Sequence, residues 1–210
     1  MSFRIDLHVH SRFSGDNDSD PEASIIQAIN LNLQGIAFTE HYYYGASEPV
    51  EGLKEKYSES VCIFRGVEFS SIEGHCLVFG VNTDRLGMKG MPVRDIVKIV
   101  TQAGGVVIPS HPYRRINSLG DIVKGLEGIS ALEGYNGCNM DPFNLKAVET
   151  AILLNLPYTG GSDAHSPSEV GSCFTEFDHL VTEDNFIEML KAGRYRGIDM
   201  RKISKGFRIN

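Results

Sequence analysis

The first hydrophobic segment of the chain alternates strictly with polar residues. Beyond Arg4, every second residue up to His10 is apolar, so an extended strand over Arg4–His10 carries two different faces. The apolar face consists of Ile5, Leu7 and Val9, and the polar face consists of Asp6, His8 and His10. A polar face with two histidines one residue apart predicts a chemical role for this strand.

The rest of the pattern alternates between segments typical of helices and of strands. Apolar spacing, capping residues and N-terminal prolines predict helices over 21–32, 92–103, 142–154 and 183–192. Short apolar runs predict strands over 35–41, 61–70, 75–81, 105–112, 129–136, 157–163 and 172–177. This order predicts an α/β fold with a mostly parallel sheet or barrel. Because no repeat or linker interrupts the pattern, residues 1–210 are predicted to form a single domain.

The composition is that of a globular protein with an excess of acidic residues. Hydrophobic residues make up 41% and charged residues 22% of the 210 residues, and the formal net charge is −7. Proteins that grip long nucleic acid usually present a basic face, so this charge argues against such a partner. A small anionic substrate remains compatible with the charge, because bound metal ions can supply local positive charge.

The sequence carries neither a leader nor a disulfide pattern. Its N-terminus enters the first predicted strand directly, and no apolar run approaches the roughly 18 residues of a membrane span. These features predict a cytoplasmic protein without a membrane partner and leave the oligomeric state open. The cysteines form no CxxC pair and are expected to be reduced and mostly buried; they are Cys62, Cys76, Cys138 and Cys173.

Histidines are concentrated at the ends of the predicted strands. The chain has seven histidines, and the first six lie in such positions beside acids or glycines: His8, His10, His41, His75, His111 and His165. In parallel α/β folds the carboxyl ends of the strands meet on one side, so these residues are expected to converge. Imidazole and carboxylate without thiolate suit zinc, iron or manganese, and the donors suffice for more than one ion.

Several segments taken together resemble one known family. In chain order they are DLHVHS, SGD, FTEH, GVE, GHCLVFG, SHP and GSDAH. This order resembles the PHP (polymerase and histidinol phosphatase) family of metal-dependent phosphoesterases, and the match runs from the first strand to about His165. The resemblance implies a distorted (β/α)7 TIM-like barrel with two to three divalent metal ions (Zn, Mn or Fe) at its C-terminal mouth.

The resemblance also implies three overlapping sets of metal ligands. The first ion is assigned to His8, His10, Glu68 and Asp163. The second ion is assigned to Glu68, His75 and His111, with Glu68 bridging the two ions. The third ion is assigned to Asp16, His41 and His165. Asp16 is preferred over the nearby Asp18 and Asp20 because it follows Ser-Gly, as the family pattern does.

One position departs from the family pattern. Members of the family commonly carry TDH where this chain has Thr39-Glu40-His41. By alternation Glu40 points away from His41, so the longer acid is expected to change only the groups that support the ligands. The departure concerns the third ion, for which His41 is an implied ligand.

Three arginines are candidates for binding the phosphate of a substrate. Arg114 and Arg115 follow the SHP segment directly, and Arg12 lies beside the first strand. The guanidinium group can form a bidentate, charge-assisted contact with a phosphate. Because adjacent residues usually point apart, only one of Arg114 and Arg115 is expected to reach the site.

Other residues near the predicted mouth have interpretations that the sequence leaves open. Tyr42, Tyr43 and Tyr44 follow the FTEH segment and form either an aromatic wall for a base or sugar or part of the loop packing. Glu133 lies at a strand end and is expected to line the pocket. Asp6 either orients an imidazole or makes a hydrogen bond at the start of the strand.

These features predict a hydrolase that cleaves a small phosphomonoester similar to histidinol phosphate or a nucleotide. A metal-bound hydroxide would attack phosphorus, with Glu68 bridging two ions and His165 or Asp16 protonating the leaving oxygen. The alternatives are an exonuclease-like phosphodiesterase on short oligonucleotides, a zinc amidohydrolase and a non-catalytic, metal-stabilised interaction module. Amidohydrolases usually have longer chains and often a carboxylated lysine at a strand end, and no lysine occupies such a position here.

Overall fold

The computed structural model describes residues 2–88 and 90–202, so the predicted domain of residues 1–210 extends beyond them at both ends. The strands in these ranges are β1 (Phe3–Val9), β2 (Gly35–Phe38), β3 (Cys62–Ser70), β4 (His75–Phe79), β5 (Val106–Pro109), β6 (Leu132–Asn136), β7 (Tyr158–Gly161), β8 (Cys173–Phe177) and β9 (Tyr195–Asp199). The α-helices in these ranges are α1 (Pro21–Asn30), α2 (Glu51–Tyr57), α3 (Val93–Gln102), α4 (Asp141–Leu153) and α5 (Phe186–Ala192). None of these helices is long and apolar enough to cross a membrane.

Every helix and strand predicted from the sequence is present with shifted bounds, but the pattern does not predict α2 and β9. Helix α2 buries none of its residues, so no apolar stripe marks it in the sequence. Strand β9 pairs antiparallel with β8 and buries Tyr195, Gly197 and Asp199. Glycine and aspartate are uncommon in strands, which is why this segment resembles a loop in the sequence.

The strands curl into a distorted barrel. The main sheet has the order β5-β4-β3-β2-β1-β8-β9, and β6 and β7 form a second, two-stranded sheet. The backbone N–H of Ser130, just before β6, donates a 3.0 Å hydrogen bond to the carbonyl oxygen of Val107 in β5. On the other side, Val9 of β1 forms a parallel bridge with Ala164, which follows β7. Strands β1 to β7 therefore form a ring, which confirms the predicted α/β, TIM-like fold.

The direction of the strands determines which chain ends lie at the mouth of the barrel. Strands β1, β2 and β3 are mutually parallel, and β6 is parallel to β7. Strand β4 runs antiparallel to both of its neighbours, β3 and β5. The carboxyl ends of the parallel strands and the amino end of β4 therefore lie at one mouth, and the reversed β4 distorts the barrel.

Apolar clusters pack the helices against this ring of strands. Helices α3 and α4 pack against β3 to β6 through a cluster that includes Val97 of α3, Val107 of β5 and Leu132 of β6. Helix α1 covers β1, β2 and β3 through a cluster that includes Ile25 and Ile36. Both faces of β1 are consequently buried, and its polar face is buried as completely as its apolar face. A buried polar face requires partners for its nitrogen and oxygen atoms, which the mouth of the barrel supplies.

Candidate metal centre

The residues predicted as metal ligands lie together at the mouth of the barrel. They come from the end of β1 and the loop after it, from the ends of β2, β3, β5 and β7, and from the start of β4. These nine residues are His8, His10, Asp16, His41, Glu68, His75, His111, Asp163 and His165. Several of them, with Arg114, line a cavity of about 710 Å³ that opens to solvent.

Glu68 of β3 lies at the centre of this group and is fully buried. Its carboxylate oxygens contact nitrogens of five imidazoles: His111 Nε2 at 2.7 Å, His41 Nδ1 at 3.1 Å, His75 Nδ1 at 3.2 Å, and the Nε2 atoms of His8 and His10 at 3.5 Å each. A single carboxylate that contacts this many imidazoles is suited to bridging two cations.

The innermost ligand group consists of His8, His10, Glu68 and Asp163, whose donor atoms all lie within 4.8 Å of one another. The Nε2 atoms of His8 and His10 are 3.1 Å apart, and Asp163 Oδ1 lies 3.4 Å and 3.2 Å from them. Tetrahedral zinc with bonds of about 2.0–2.1 Å places its ligand atoms about 3.3 Å apart. The donor atoms and their spacing therefore fit a small divalent cation.

A second group joins His41 and His75 to Glu68, again with donor atoms within 4.8 Å of one another. His41 Nδ1, His75 Nδ1 and Glu68 Oε2 are buried atoms without a hydrogen-bond partner among the described residues. Buried polar atoms normally have partners, and three unpaired donor atoms in one place fit a cation that would bind them together. The prediction names His111 rather than His41 beside Glu68 and His75, and the structure brings both histidines to Glu68.

A third group lies at the outer edge of the mouth. His10, His41 and His165 have donor atoms within 4.8 Å of one another. Asp16 Oδ2 lies 3.0 Å from His41 Nε2 and 3.2 Å from His165 Nε2, so the implied third ligand set is also brought together. The side chains of Asp16 and His165 are 39% and 35% exposed, which makes this the solvent-facing part of the centre.

Two of the predicted ligands adopt an unusual backbone conformation. His111 has a φ angle of 29° and Asp163 has a φ angle of 53°, which is the left-handed region that residues with a Cβ rarely adopt. Both residues lie two positions beyond the last residue of a strand, β5 or β7. Backbone strain of this kind is typical of functional sites, where the surrounding structure holds it in place.

Glu133 of β6 fixes the orientation of His8. Its Oε1 atom accepts a 2.8 Å hydrogen bond from His8 Nδ1, and its Oε2 atom accepts one of 2.6 Å from the backbone N–H of His111. A proton on Nδ1 leaves the Nε2 lone pair of His8 free to face a metal ion. Gly161 makes room for this imidazole, because a Cβ at that position would collide with the Cβ of His8.

Ser14 fixes the orientation of His10 in the same way, and Glu40 forms a hydrogen bond with Ser14. The Ser14 hydroxyl accepts from His10 Nδ1 at 2.9 Å and from the backbone N–H of His41 at 3.2 Å, and it donates its own proton to Glu40. Glu40 also accepts hydrogen bonds from the backbone N–H and hydroxyl of Ser11. Glu40, the residue that differs from the family pattern, thus supports both His10 and His41 through Ser14. These contacts reach across the loop after β1.

Asp6 forms hydrogen bonds with the backbone rather than with an imidazole ring. Its carboxylate accepts hydrogen bonds from the backbone N–H groups of His8, Ser162 and Gly171. Burial raises the pKa of Asp6 to about 6, although these hydrogen bonds lower it. Of the two interpretations, the strand hydrogen bond is therefore the one seen, and Glu133 orients the imidazole instead.

The three candidate arginines have different surroundings. Arg114 reaches into the mouth, where it donates a 2.8 Å hydrogen bond to Asp163 Oδ2 and where its Nη2 atom lies 2.8 Å from His111 Nε2. Arg115 is exposed. Arg12 is more than half exposed, pairs with Asp20 at 3.3 Å and lies over the ring of Phe13. Only Arg114 lines the cavity at the metal ligands.

The charges in the inner group favour a bound cation. Burial by itself raises the pKa of Glu68, but His8 and His111 hold that pKa well below its usual value. Burial by itself lowers the pKa of His8, but the carboxylates of Asp163 and Glu133 raise that pKa well above its usual value. The carboxylates thus hold a proton on His8, and a divalent cation would supply the same positive charge while releasing that proton.

Comparisons with known proteins agree with this description. A barrel whose mouth is lined by histidines and carboxylates defines the class of metal-dependent hydrolases. Residues 6–140 match the model of the PHP domain, and residues 141–195 match the model of the PHP-associated region. Because the first match covers more than half of the chain, the protein belongs to the PHP family of metal-dependent phosphoesterases.

Individual relatives are distant in sequence. An uncharacterized protein of Methanocaldococcus jannaschii is 24% identical over 165 residues, which cover 73% of this chain and 94% of that protein. A Bifidobacterium adolescentis protein described as a metal-dependent phosphoesterase has a TM-score of 0.67 at 18% identity, covering 94% of this chain and 98% of that one. The lesion-specific endonuclease EndoQ of Pyrococcus furiosus has a TM-score of 0.68 at 18% identity, covering 94% of this chain and 58% of the endonuclease. These structures share the fold with this chain.

Proposed function

We propose that the protein hydrolyses small phosphomonoesters with the help of two to three divalent metal ions. The observation that carries this proposal is the position of Glu68, a fully buried carboxylate in contact with five imidazoles, two of which, His41 and His75, line an open cavity. Bound ions would supply a water molecule of lowered pKa and would neutralise the oxygens of the phosphoryl group.

Arg114 is the residue of this chain best placed to bind the phosphate. Its guanidinium group already contacts Asp163 Oδ2 and His111 Nε2, and both residues are predicted ligands. A cation bound to His111 Nε2 would displace the guanidinium group of Arg114 from that nitrogen. One side of the guanidinium group would then be free. That side can then form a charge-assisted hydrogen bond with a phosphate oxygen.

Proton transfer to the leaving oxygen is assigned to the outer edge of the mouth. Asp16 Oδ2 and His165 Nε2 are 3.2 Å apart, and both side chains are more than a third exposed. A group in this position can exchange protons with solvent and reach an alcohol that leaves in that direction. Asp16 and His165 are thus the two candidates for donating a proton to the leaving oxygen.

The size and charge of the molecule favour a small substrate. The cavity at the ligands measures about 710 Å³, which is in the usual range for small-molecule sites. Tracking a long phosphate backbone would require a basic surface, whereas the formal net charge of this chain is −7.

A substrate screen tests the proposal. The wild-type protein, loaded in turn with Mn, Zn or Fe, is assayed for phosphate release from a panel of monophosphates and for cleavage of short oligonucleotides. We expect metal-dependent phosphate release from monophosphates and none from the Glu68→Gln variant. Cleavage of oligonucleotides without release from any monophosphate would overturn the assignment to monoesters, and cleavage of neither would overturn the phosphoesterase assignment.

A further inference from the structure

Asn136, the last residue of β6, links two acidic residues of the candidate metal centre. Its side chain is fully buried. Its Nδ2 atom donates a 3.0 Å hydrogen bond to Glu133 Oε2 and a 3.2 Å hydrogen bond to Asp163 Oδ2. Asp163 is a predicted ligand, and Glu133 orients the imidazole of His8. One neutral amide thus contacts both a ligand and the partner of another ligand.

The contacts of the Asn136 carboxamide fix which way the group faces. Its Oδ1 atom accepts a 3.0 Å hydrogen bond from the backbone N–H of Cys138. An amide NH2 group carries two hydrogens, and ionised carboxylates only accept hydrogen bonds. A reversed carboxamide would place Oδ1 against both carboxylates and the NH2 group against another donor. The hydrogen bonds therefore hold Nδ2 toward the metal centre.

A bulge in β6 brings Asn136 and Glu133 to the same side. The two residues are three positions apart, so regular alternation would direct them to opposite faces. Glu133 and Tyr135 instead pair with adjacent residues of β7, so β6 carries one extra residue between them. Bulges of this kind re-aim side chains next to active sites, and this one allows the Asn136 amide to meet Glu133.

The backbone around Asn136 is held from three directions. Asn144 of α4 accepts a 3.2 Å hydrogen bond from the Asn136 N–H and donates one of 3.0 Å to its carbonyl oxygen. Gly137 packs so closely against the end of β7 that a Cβ there would collide with the carbonyl oxygen of Ser162. Arg201 donates 2.7 Å hydrogen bonds to two carbonyl oxygens of the loop after β6. A firmly held backbone therefore presents Asn136 to the metal centre.

The two carboxylate oxygens of Asp163 have different partners. Oδ1 lies 3.4 Å from His8 Nε2 and 3.2 Å from His10 Nε2. Oδ2 accepts hydrogen bonds from Asn136 and from Arg114. A carboxylate whose second oxygen is held by donors presents a single oxygen to a cation. In the proposed function Arg114 turns to a phosphate, and Asn136 then keeps Oδ2 occupied.

We propose that Asn136 is a positioning residue for the cation of the innermost ligand group. It directs Asp163 Oδ1 alone toward that cation and holds Glu133 in place for its contact with His8. Asn136 itself binds no ion and acts through these two carboxylates. The inference rests on the metal ions of the proposed function and not on its substrate.

The test measures metal binding by the full chain rather than hydrolysis. Asn136→Ala removes the carboxamide, and Asn136→Ser is a second, polar variant at the same position. Asn139→Ala is the matched control, because Asn139 is a buried asparagine of the same loop whose Nδ2 donates to Asn144 rather than to a carboxylate of the centre. Competition with a chelator measures zinc affinity, and the visible absorption of the cobalt-loaded protein reports the geometry around the bound ion. Thermal unfolding measures stability.

We expect Asn136→Ala to lower the affinity for the tightest-bound zinc ion about 10- to 100-fold and to change the cobalt spectrum. Asn136→Ser has too short a side chain to contact both carboxylates, so it should change both readouts in the same direction, and it replaces Asn136→Ala if that variant does not fold. Asn139→Ala should keep the affinity and the spectrum of the wild type, even where its melting temperature falls. Equal zinc affinities in the folded Asn136 variants and the control, or an unchanged cobalt spectrum in those variants, would overturn the inference.

These outcomes are distinguishable from a failure of the proposed function. Weaker zinc binding and a changed cobalt spectrum, in a chain that hydrolyses no phosphoester, would support the positioning role and overturn the proposed function. Unchanged zinc binding in the Asn136 variants of an active chain would overturn the positioning role alone. A wild-type chain that binds no divalent ion would overturn both.

Discussion

The inner and outer parts of the candidate metal centre differ in how the predicted ligands are held. His8 and His10 are fully buried, and each donates its Nδ1 proton to a dedicated partner, Glu133 or Ser14. Asp16 and His165 at the outer edge are each more than a third exposed. His165 Nδ1 lies 2.8 Å from the backbone carbonyl oxygen of Asp163, and the carboxylate of Asp16 accepts a hydrogen bond from its neighbour Asn17.

This difference indicates that the inner and outer ligands have different roles. Ligands with locked rotamers and tautomers hold a fixed geometry before a metal ion arrives, so the inner group is suited to tight binding. Ligands at the solvent edge lose more freedom on binding, and an ion there is expected to be held more weakly. The outer group is better placed to exchange protons and ligands during a reaction.

The largest expected effect comes from Glu68, which belongs to both of the buried groups. Glu68→Gln removes the charge that can bridge two ions, so we expect loss of more than one ion per chain and a fall in kcat/KM of at least about a hundredfold. Metal analysis and initial rates measure both quantities, and circular dichroism checks that the fold persists. Wild-type rates in a folded variant would mean that Glu68 is not the bridge.

The second prediction concerns the positioning of the inner group. Glu133→Gln replaces the carboxylate that accepts from His8 Nδ1, and loss of such a partner typically costs about 10- to 100-fold in metal affinity or activity. Competition with a chelator measures the affinity. Glu127→Gln, at an exposed position, is the matched control and should behave as the wild type. Equal affinities in both variants would show that His8 needs no orienting carboxylate.

The third prediction concerns the outer group. Asp16→Asn should remove one weakly held ion, leave the inner ions in place and lower kcat about tenfold. Asp18→Asn is the control, because Asp18 is an exposed acid on the same loop. Metal titration followed by calorimetry separates weak from tight binding steps. Retention of every binding step in Asp16→Asn, with loss of one in Asp18→Asn, would reassign the outer ligand.

The smallest expected effect concerns substrate binding alone. Arg114→Ala should raise KM for a small monoester by about tenfold, or roughly 1.4 kcal/mol, with little change in kcat and in metal content. Arg115→Ala and Arg12→Ala should leave KM unchanged, because these side chains lie away from the cavity at the ligands. A change of KM in Arg12→Ala but not in Arg114→Ala would move the phosphate to the loop after β1.

The sequence predicts which candidate ligands come together better than it predicts what holds them. The structure brings His8 and His10 together, as alternation along β1 predicts, but a register shift between Asp6 and Val9 interrupts the strand. Ile5 and Leu7 therefore pack in one apolar cluster and Val9 in another, so alternation does not hold along the whole strand. It cannot say which neighbour each side chain meets. The partner of His8 is Glu133, which is 125 positions away and reaches it only through closure of the barrel.

Elements without an apolar pattern also escape prediction. Helix α2 has no fully buried residue and therefore no buried stripe, and β9 depends on its pairing with β8. Ser14 gives no signal in the sequence as the partner of His10, since a serine directly before a glycine is typical of any loop. Tertiary contacts decide all three cases.

The central claim is that the residues around Glu68 bind more than one catalytic divalent ion. The most direct test is the metal content of the purified chain after it has been stripped with a chelator, reloaded with Zn or Mn and freed of excess metal, with phosphate release measured on the same samples. We predict more than one ion per chain and activity that disappears on stripping and returns on reloading. One ion or fewer after reloading, or full activity in the stripped protein, would contradict the account.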